Sequence, residues 1–177
     1  MKSKIISISA VTSALIAIFL TFGVYVEVFD LWAVVIASML VLMPLYYNSY
    51  LGAILSSVSG GVIALMLSGF NVFSIVFPAF FGFFGFYPIF KMFFVLKNKN
   101  KVVKTIIGLI WCVVAIYGIY LYYTFVMQIN DLDLPKFLME NIYLVLLPVS
   151  VLFYFLFDKF VLVAKFTIDK YAKRVLK

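Results

Sequence analysis

The sequence contains no histidine and only one cysteine among its 177 residues. The absence of histidine removes the most common metal ligand and the usual proton carrier near neutral pH. The single Cys112 excludes a disulfide within the chain and a cluster of metal-binding thiolates. Phosphate-binding loops, nucleophile elbows and zinc-protease motifs are also missing from the sequence. We therefore expect no catalytic residue, no metal site and no cofactor, and we do not expect an enzyme.

Charged residues are scarce as well. They make up 12% of the chain, and hydrophobic residues make up 67%. A soluble domain has about 25% charged and about 45–50% apolar residues. A soluble fold of this length could not bury so much apolar surface. The apolar runs are continuous rather than alternating with polar residues, which disfavours a β-barrel. The composition predicts an all-α integral membrane protein.

Six apolar stretches approach or exceed the roughly 20 residues that cross the hydrocarbon core of a bilayer. They cover residues 5–26, 31–47, 51–67, 72–90, 102–127 and 142–157. The second and third are short and can form one tight helical hairpin around residues 46–50. The first follows two lysines, as a signal peptide would, but it is too long for one and lacks a small-residue cleavage site. We expect it to be a retained helix.

The distribution of charge predicts the orientation of these six spans. With the N-terminus in the cytoplasm, thirteen of the fourteen basic residues fall on the cytoplasmic side, and only Lys136 falls outside. This follows the positive-inside rule. The sequence therefore predicts a six-transmembrane-helix bundle with both termini cytoplasmic. The net charge of +7 is expected to meet membrane lipid and not nucleic acid.

The pattern changes near the end of the last stretch. Residues 1–157 are predicted to form the transmembrane domain, and residues 158–177 a cytoplasmic amphipathic basic tail. The tail mixes six cations with apolar residues, which suits a helix at the membrane surface. A simple solvated helical end is the alternative.

Small residues recur on one face of the first stretch. They are Ser3, Ser7, Ala10, Ala14, Ala17 and Thr21. Small side chains let helices approach closely in lipid. The stripe, centred on Ala10 and Ala14, predicts either packing within the bundle or docking of a partner subunit. A second set on the third stretch is predicted to pack inside the bundle: Gly52, Ser56, Gly60 and Ala64.

The fourth stretch contains residues that interrupt helices, namely Pro78, Gly82, Gly85 and Pro88. We expect a kinked or locally unwound helix, with backbone groups that a ligand can use. No charged residue lies near the middle of any predicted span, which disfavours a self-sufficient ion-coupled carrier.

Several polar residues lie near the predicted outer ends of the spans. Glu27, Asp30 and Asn71 are the candidates for binding a small molecule there. Each of them also fits a solvated loop residue or a helix cap.

Six short spans in 177 residues, Ala10 and Ala14 on a first helix preceded by lysines, and cytoplasmic termini resemble one family. It is the substrate-binding S component of bacterial energy-coupling factor transporters. The resemblance implies a non-catalytic protein of the bacterial cytoplasmic membrane that captures a micronutrient at its outer side. It also implies docking through Ala10 and Ala14 onto a transmembrane coupling subunit driven by two ATPases. Glu27 and Asp30 occupy the first outer loop, which often closes over the ligand in that family.

Another resemblance comes from residues 80–91, with the sequence FFGFFGFYPIFK. It is similar to the end of the fourth helix in a group of small Firmicutes membrane proteins. The alternative to capture is a scaffolding membrane protein with no transported substrate, comparable in size and span count to the small membrane subunit of the rod-shape machinery. An outer pocket would favour capture, and a filled bundle would favour the scaffold.

Overall fold

The computed structural model describes residues 2–96, 100–125 and 141–175, and every regular element in these ranges is helical. The elements in chain order are α1 (Lys2–Tyr25), a 3₁₀ turn (Glu27–Phe29), α2 (Asp30–Leu40), α3 (Leu42–Tyr46), α4 (Tyr50–Leu67), α5 (Val76–Ala79), a π-helical turn (Phe80–Phe84), α6 (Tyr87–Leu96), α7 (Lys101–Phe125) and α8 (Ile142–Val175). The predicted all-α class is confirmed.

Five helical segments in the described part of the chain are long and apolar enough to cross a membrane. They are Ser3–Tyr25, Tyr50–Leu67, Val76–Phe94, Val102–Phe125 and Ile142–Lys170. These segments match the first, third, fourth, fifth and sixth predicted stretches. The second predicted stretch corresponds to Asp30–Tyr46, which is apolar but shorter. The chain is therefore an all-helical protein whose long apolar helices are compatible with a membrane bundle.

The shorter segment is divided between α2 and α3 at Val41. Pro44 has no N–H group to donate to the carbonyl of Leu40, and its ring crowds that carbonyl. After α3 the chain turns at Asn48, whose φ is 55°. The Ser49 hydroxyl then accepts a hydrogen bond from a backbone N–H in the first turn of α4. This is the tight hairpin predicted around residues 46–50.

The predicted interruption of the fourth stretch is also present. The π-helical turn separates α5 from α6, and the Gly85 amide donates to the carbonyl of Phe80 at 2.8 Å, five residues back. Pro88 is the second residue of α6, where its missing N–H group leaves no helical bond unmade.

Aromatic rings fill the centre of the bundle. The ring of Phe83 stacks on Tyr87 with centroids 4.7 Å apart, and Phe84 meets Phe157 of α8 edge-on at 4.8 Å. Large apolar side chains also cover the outside of the bundle, including Val114 of α7 and Leu144 of α8. Such a surface is costly in water and suits lipid.

The helix α8 continues past residue 157 without a break and has 34 residues. Its length is about 51 Å at 1.5 Å per residue, and a bilayer core is about 30 Å thick. Val161 is fully buried, and Ile168 packs against the same core. The first part of the predicted tail therefore packs on the bundle. Its assignment as a separate cytoplasmic segment stays a prediction, and residues 176 and 177 lie outside the described part.

Candidate functional site

The helices α1 and α4 are in close contact because α4 presents small residues to α1. A Cβ atom on Gly60 would lie 2.7 Å from Cγ2 of Ile16 and 2.9 Å from the carbonyl oxygen of Ser13. The four small residues predicted to pack are all buried: Gly52, Ser56, Gly60 and Ala64.

An open groove of about 640 Å³ runs beside this contact, between α1 and α4. The predicted docking residues Ala10 and Ala14 are exposed and line the groove. Ala17, the next residue of the stripe, also lines it but is buried. The stripe therefore begins on the open face of α1 and turns into the bundle at Ala17. We call this surface the α1–α4 groove.

The lining of the α1–α4 groove is apolar apart from a few hydroxyl groups, and none of its described lining residues is charged. The hydroxyl of Ser59 donates to the carbonyl of Leu55 at 2.6 Å. It also lies 2.7 Å from the hydroxyl of Ser13, so Ser13 is the donor of the bond that joins α1 to α4. A surface of this composition suits a transmembrane helix or a lipid chain better than a charged solute.

The three predicted ligand-binding residues lie at one end of the bundle. Glu27 is in the 3₁₀ turn after α1, and Asp30 is the first residue of α2. Asn71 is exposed in the loop after α4. The Tyr25 hydroxyl donates to the carbonyl of Leu67 at 3.3 Å, which ties the end of α1 to the end of α4.

At this end of the bundle, the hydrogen bond described for Asp30 is a local one. The Asp30 carboxylate accepts a bond from the backbone N–H of Leu31 at 2.6 Å, a local contact at the start of a helix. Asp30 and Asn71 line neither the α1–α4 groove nor the two smaller cavities described for the bundle. The Glu27 side chain lies outside the described part of the chain. A ligand pocket at these three residues stays a prediction.

The interrupted fourth segment has carbonyl groups that its irregular backbone leaves without helical partners. The indole N–H of Trp111 donates to the carbonyl of Gly82 at 2.8 Å, and the hydroxyl of Ser57 donates to that of Gly85 at 2.7 Å. Side chains from α7 and α4 therefore donate to the backbone carbonyls at these two positions, and their use by a ligand stays a prediction.

Beside the aromatic packing at the centre of the bundle, a cluster of charged groups surrounds Asp158 of α8. Its carboxylate lies 2.9 Å from the ammonium of Lys91 and 3.3 Å from that of Lys104. It also accepts a hydrogen bond from the Tyr87 hydroxyl, and the Lys91 ammonium donates to the backbone carbonyl of Asp158. Tyr87 and Lys91 have no exposed surface. We call these four residues the Asp158 cluster.

Sequence reasoning missed the Asp158 cluster because the sixth predicted stretch ended at residue 157. In the structure the helix continues past residue 157 as far as Val175, so Asp158 lies on the same helix as the sixth apolar stretch. The four-residue spacing of Tyr87 and Lys91 places both on one helix face, and this was the available signal. Their partner on α8 was not visible in the sequence.

Among the residues that the structure describes, no group of three His, Cys, Asp or Glu side chains is placed to hold a metal ion. No protein-family model, no curated protein and no solved structure matches this chain.

Proposed function

We propose that this protein is the membrane-embedded substrate-capture subunit of a multi-subunit micronutrient importer, similar to an S component and without catalytic residues of its own. The observation that carries the proposal is the α1–α4 groove, where exposed Ala10 and Ala14 lie beside an apolar cavity of about 640 Å³.

Helices associate in lipid mainly through close packing, because an apolar side chain gains little by moving from lipid to protein. Two exposed alanines one turn apart allow the backbone of another helix to approach α1 closely. The uncharged lining suits contact within the hydrocarbon core. These features support a transmembrane coupling subunit as the partner. The energy for import would come from the ATPases bound to that subunit.

Within this proposal the chain crosses the bacterial cytoplasmic membrane six times, with both termini in the cytoplasm. Five spans are the long segments described above. The sixth is Asp30–Tyr46, whose length is about 26 Å at 1.5 Å per residue. Local thinning of the bilayer accommodates such a short span at modest cost. The position of thirteen of fourteen basic residues on the cytoplasmic side supports this topology.

Substrate capture would take place at the outer end, near Glu27, Asp30 and Asn71. A ligand that binds only the folded protein raises the free energy of unfolding by about 2.7 kcal/mol at 100 times its dissociation constant. A thermal-shift screen of the purified protein against vitamins, nucleobases and amino acids tests this part. We expect at least one compound to raise the melting temperature, and the variant Asp30→Ala with Asn71→Ala to lose the response. A screen with no response contradicts substrate capture.

The docking part is tested with the double variant Ala10→Leu, Ala14→Leu. Leucine side chains would fill the groove and keep a partner helix at a distance, while both positions already face outward. The matched control is Gly118→Leu on α7, because Gly118 is exposed and a Cβ there meets nothing within 4 Å. The readout is co-purification of coupling subunit and ATPases from native membranes.

We expect the double variant to elute as a folded monomer and to lose the coupling subunit, and we expect the control to retain it. Loss of the folded monomer in the double variant would show that Ala10 and Ala14 serve internal packing. Equal retention of the coupling subunit by all three proteins would also contradict docking at this groove.

A scaffolding protein without substrate is the second candidate. The observation that favours it is the aromatic packing of Phe83, Phe84 and Phe157 at the centre of the bundle. A scaffold would give no response in the ligand screen and would not co-purify the coupling subunit and ATPases, so the two experiments separate the candidates.

A further inference from the structure

The helix α6 is joined to the first half of its segment by irregular backbone. The Gly85 amide bonds to the carbonyl of Phe80, which is one residue further back than in an α-helix. Gly82, within the π-helical turn, is exposed, and a Cβ there would meet nothing within 4 Å. The connection between α5 and α6 therefore differs in backbone geometry from the continuous helices α1 and α7.

Beyond this turn, α6 packs against α7 and α8 through its aromatic rings and also contacts one carboxylate. Tyr87 is the first residue of α6, Lys91 follows one turn later, and both donate to Asp158 of α8. Lys104, in the first turn of α7, reaches the same carboxylate. One side chain is thus the shared acceptor for donors from two neighbouring helices.

We propose that Asp158 is a latch that fixes α6 against α7 and α8, and that α6 moves about the π-helical turn when Lys91 loses its carboxylate partner. This inference goes beyond the proposed function and does not rest on it. It concerns how the inner half of the fourth segment is held, whichever partner or ligand the protein has.

The physical reason lies in the burial of Lys91. Its side chain has no exposed surface, whereas those of Asp158 and Lys104 are 17% and 14% exposed. Without the carboxylate, the ammonium would keep only the backbone carbonyl of Asp158 as an acceptor, and a buried charge without a counter-charge is strongly unfavourable. Lys104 already reaches the surface and Lys91 does not, so exposing the Lys91 ammonium requires its side chain or α6 to move.

The latch can be tested with two cysteine reporters in the full-length purified protein. Met92 follows Lys91 on α6 and is 1% exposed. The native Cys112 lies on α7 and is equally buried. One protein carries Met92→Cys with Cys112→Ala, and the other keeps Cys112 alone. The rate of maleimide labelling in mild detergent is measured for each protein, with and without Asp158→Asn.

We expect Asp158→Asn to raise the labelling rate at position 92 by more than about tenfold and to leave Cys112 unchanged. Adding Lys91→Met to Asp158→Asn removes the unpaired charge, and the rate at position 92 should fall back. An unchanged rate at position 92, an equal rise at both cysteines, or a rate that stays fast in the double variant would each overturn the latch.

A milder variant covers the case in which Asp158→Asn does not fold. Tyr87→Phe removes one donor to the carboxylate and keeps both ion pairs and the aromatic ring. We expect it to raise labelling at position 92 by a smaller factor than Asp158→Asn, again without a change at Cys112. If Tyr87→Phe leaves the rate at position 92 unaltered and Asp158→Asn does not fold, the latch is refuted, because the cluster then serves folding alone.

Discussion

Gly60 shows how a missing side chain sets the distance between two helices. Its Cα faces α1, where a methyl group would overlap the side chain of Ile16 and the backbone of Ser13. Backbone atoms cannot move aside as a flexible side chain can, so the two helices must separate. In lipid this loses the close contact that holds them together.

We therefore expect Gly60→Ala to destabilise the folded protein by about 1–3 kcal/mol. The control is Gly118→Ala, where the new methyl group meets nothing and the helix gains up to about 1 kcal/mol of intrinsic propensity. Unfolding of both variants in mixed detergent, followed by circular dichroism, gives the comparison. Similar midpoints for the two variants would contradict the assigned contact between α1 and α4.

At the residue scale, sequence reasoning placed Ala10 and Ala14 on one helix face but left open what that face meets. The reason is that α1 carries small residues on more than one side. The exposed Ala10 and the buried Ala17 belong to the same stripe and have different surroundings. Only the position of α4, which depends on contacts far apart in the sequence, distinguishes them.

At the scale of elements, the fourth segment depends on its neighbours to complete its backbone hydrogen bonds. Ser57 of α4 satisfies the carbonyl of Gly85, and Trp111 of α7 satisfies that of Gly82. Gly85 is buried, and a buried carbonyl without a partner costs about 1–3 kcal/mol, whereas Gly82 is exposed. The irregular turn is therefore stabilised by hydrogen bonds from two neighbouring helices.

This dependence predicts a difference between two serine-to-alanine variants. Ser57→Ala leaves the Gly85 carbonyl without its donor and should destabilise the protein by about 1–3 kcal/mol. The control is Ser38→Ala, because Ser38 is equally buried but donates to the Val35 carbonyl of its own helix. We expect that change to cost less than about 1 kcal/mol. If thermal unfolding shows equal losses of stability for the two variants, the hydrogen bond from Ser57 to the Gly85 carbonyl contributes no more than the local bond of Ser38.

The prolines and glycines of the fourth stretch predicted the interruption correctly, because their effect on a helix is local. The donors that cap the interruption could not be predicted, since they come from α4 and α7. The same limit applies to the Asp158 cluster. Tyr87 and Lys91 are visible as a helical pair, but Asp158 lies 67 residues after Lys91.

At the scale of the whole molecule, composition alone indicated an all-helical membrane protein, since water cannot accommodate so much apolar surface. The boundary between the last span and the tail was harder to predict from the sequence. Lys159 and Lys165 suggested that the chain leaves the bundle after residue 157, but Val161 and Ile168 between and beyond them pack on the core. A long cationic side chain can keep its charge in water while its helix packs on the bundle, so charge marks the end of a helix poorly.

The docking groove, the outer ligand-binding end and the inner latch all take their positions from one topology. In it, Asp30–Tyr46 crosses the membrane and both chain ends are cytoplasmic. Two exposed residues flank this segment: Val28 on the proposed outer side and Asn48 on the proposed inner side. They allow the crossing to be tested directly.

The measurement is labelling of intact cells with a membrane-impermeant maleimide, using Val28→Cys and Asn48→Cys separately in a Cys112→Ala background. We expect the cysteine at position 28 to react in intact cells and the one at position 48 to react only after permeabilisation. Labelling of both positions from outside would show that Asp30–Tyr46 does not cross the membrane. The reverse pattern would place the proposed ligand-binding end on the cytoplasmic side and contradict the account.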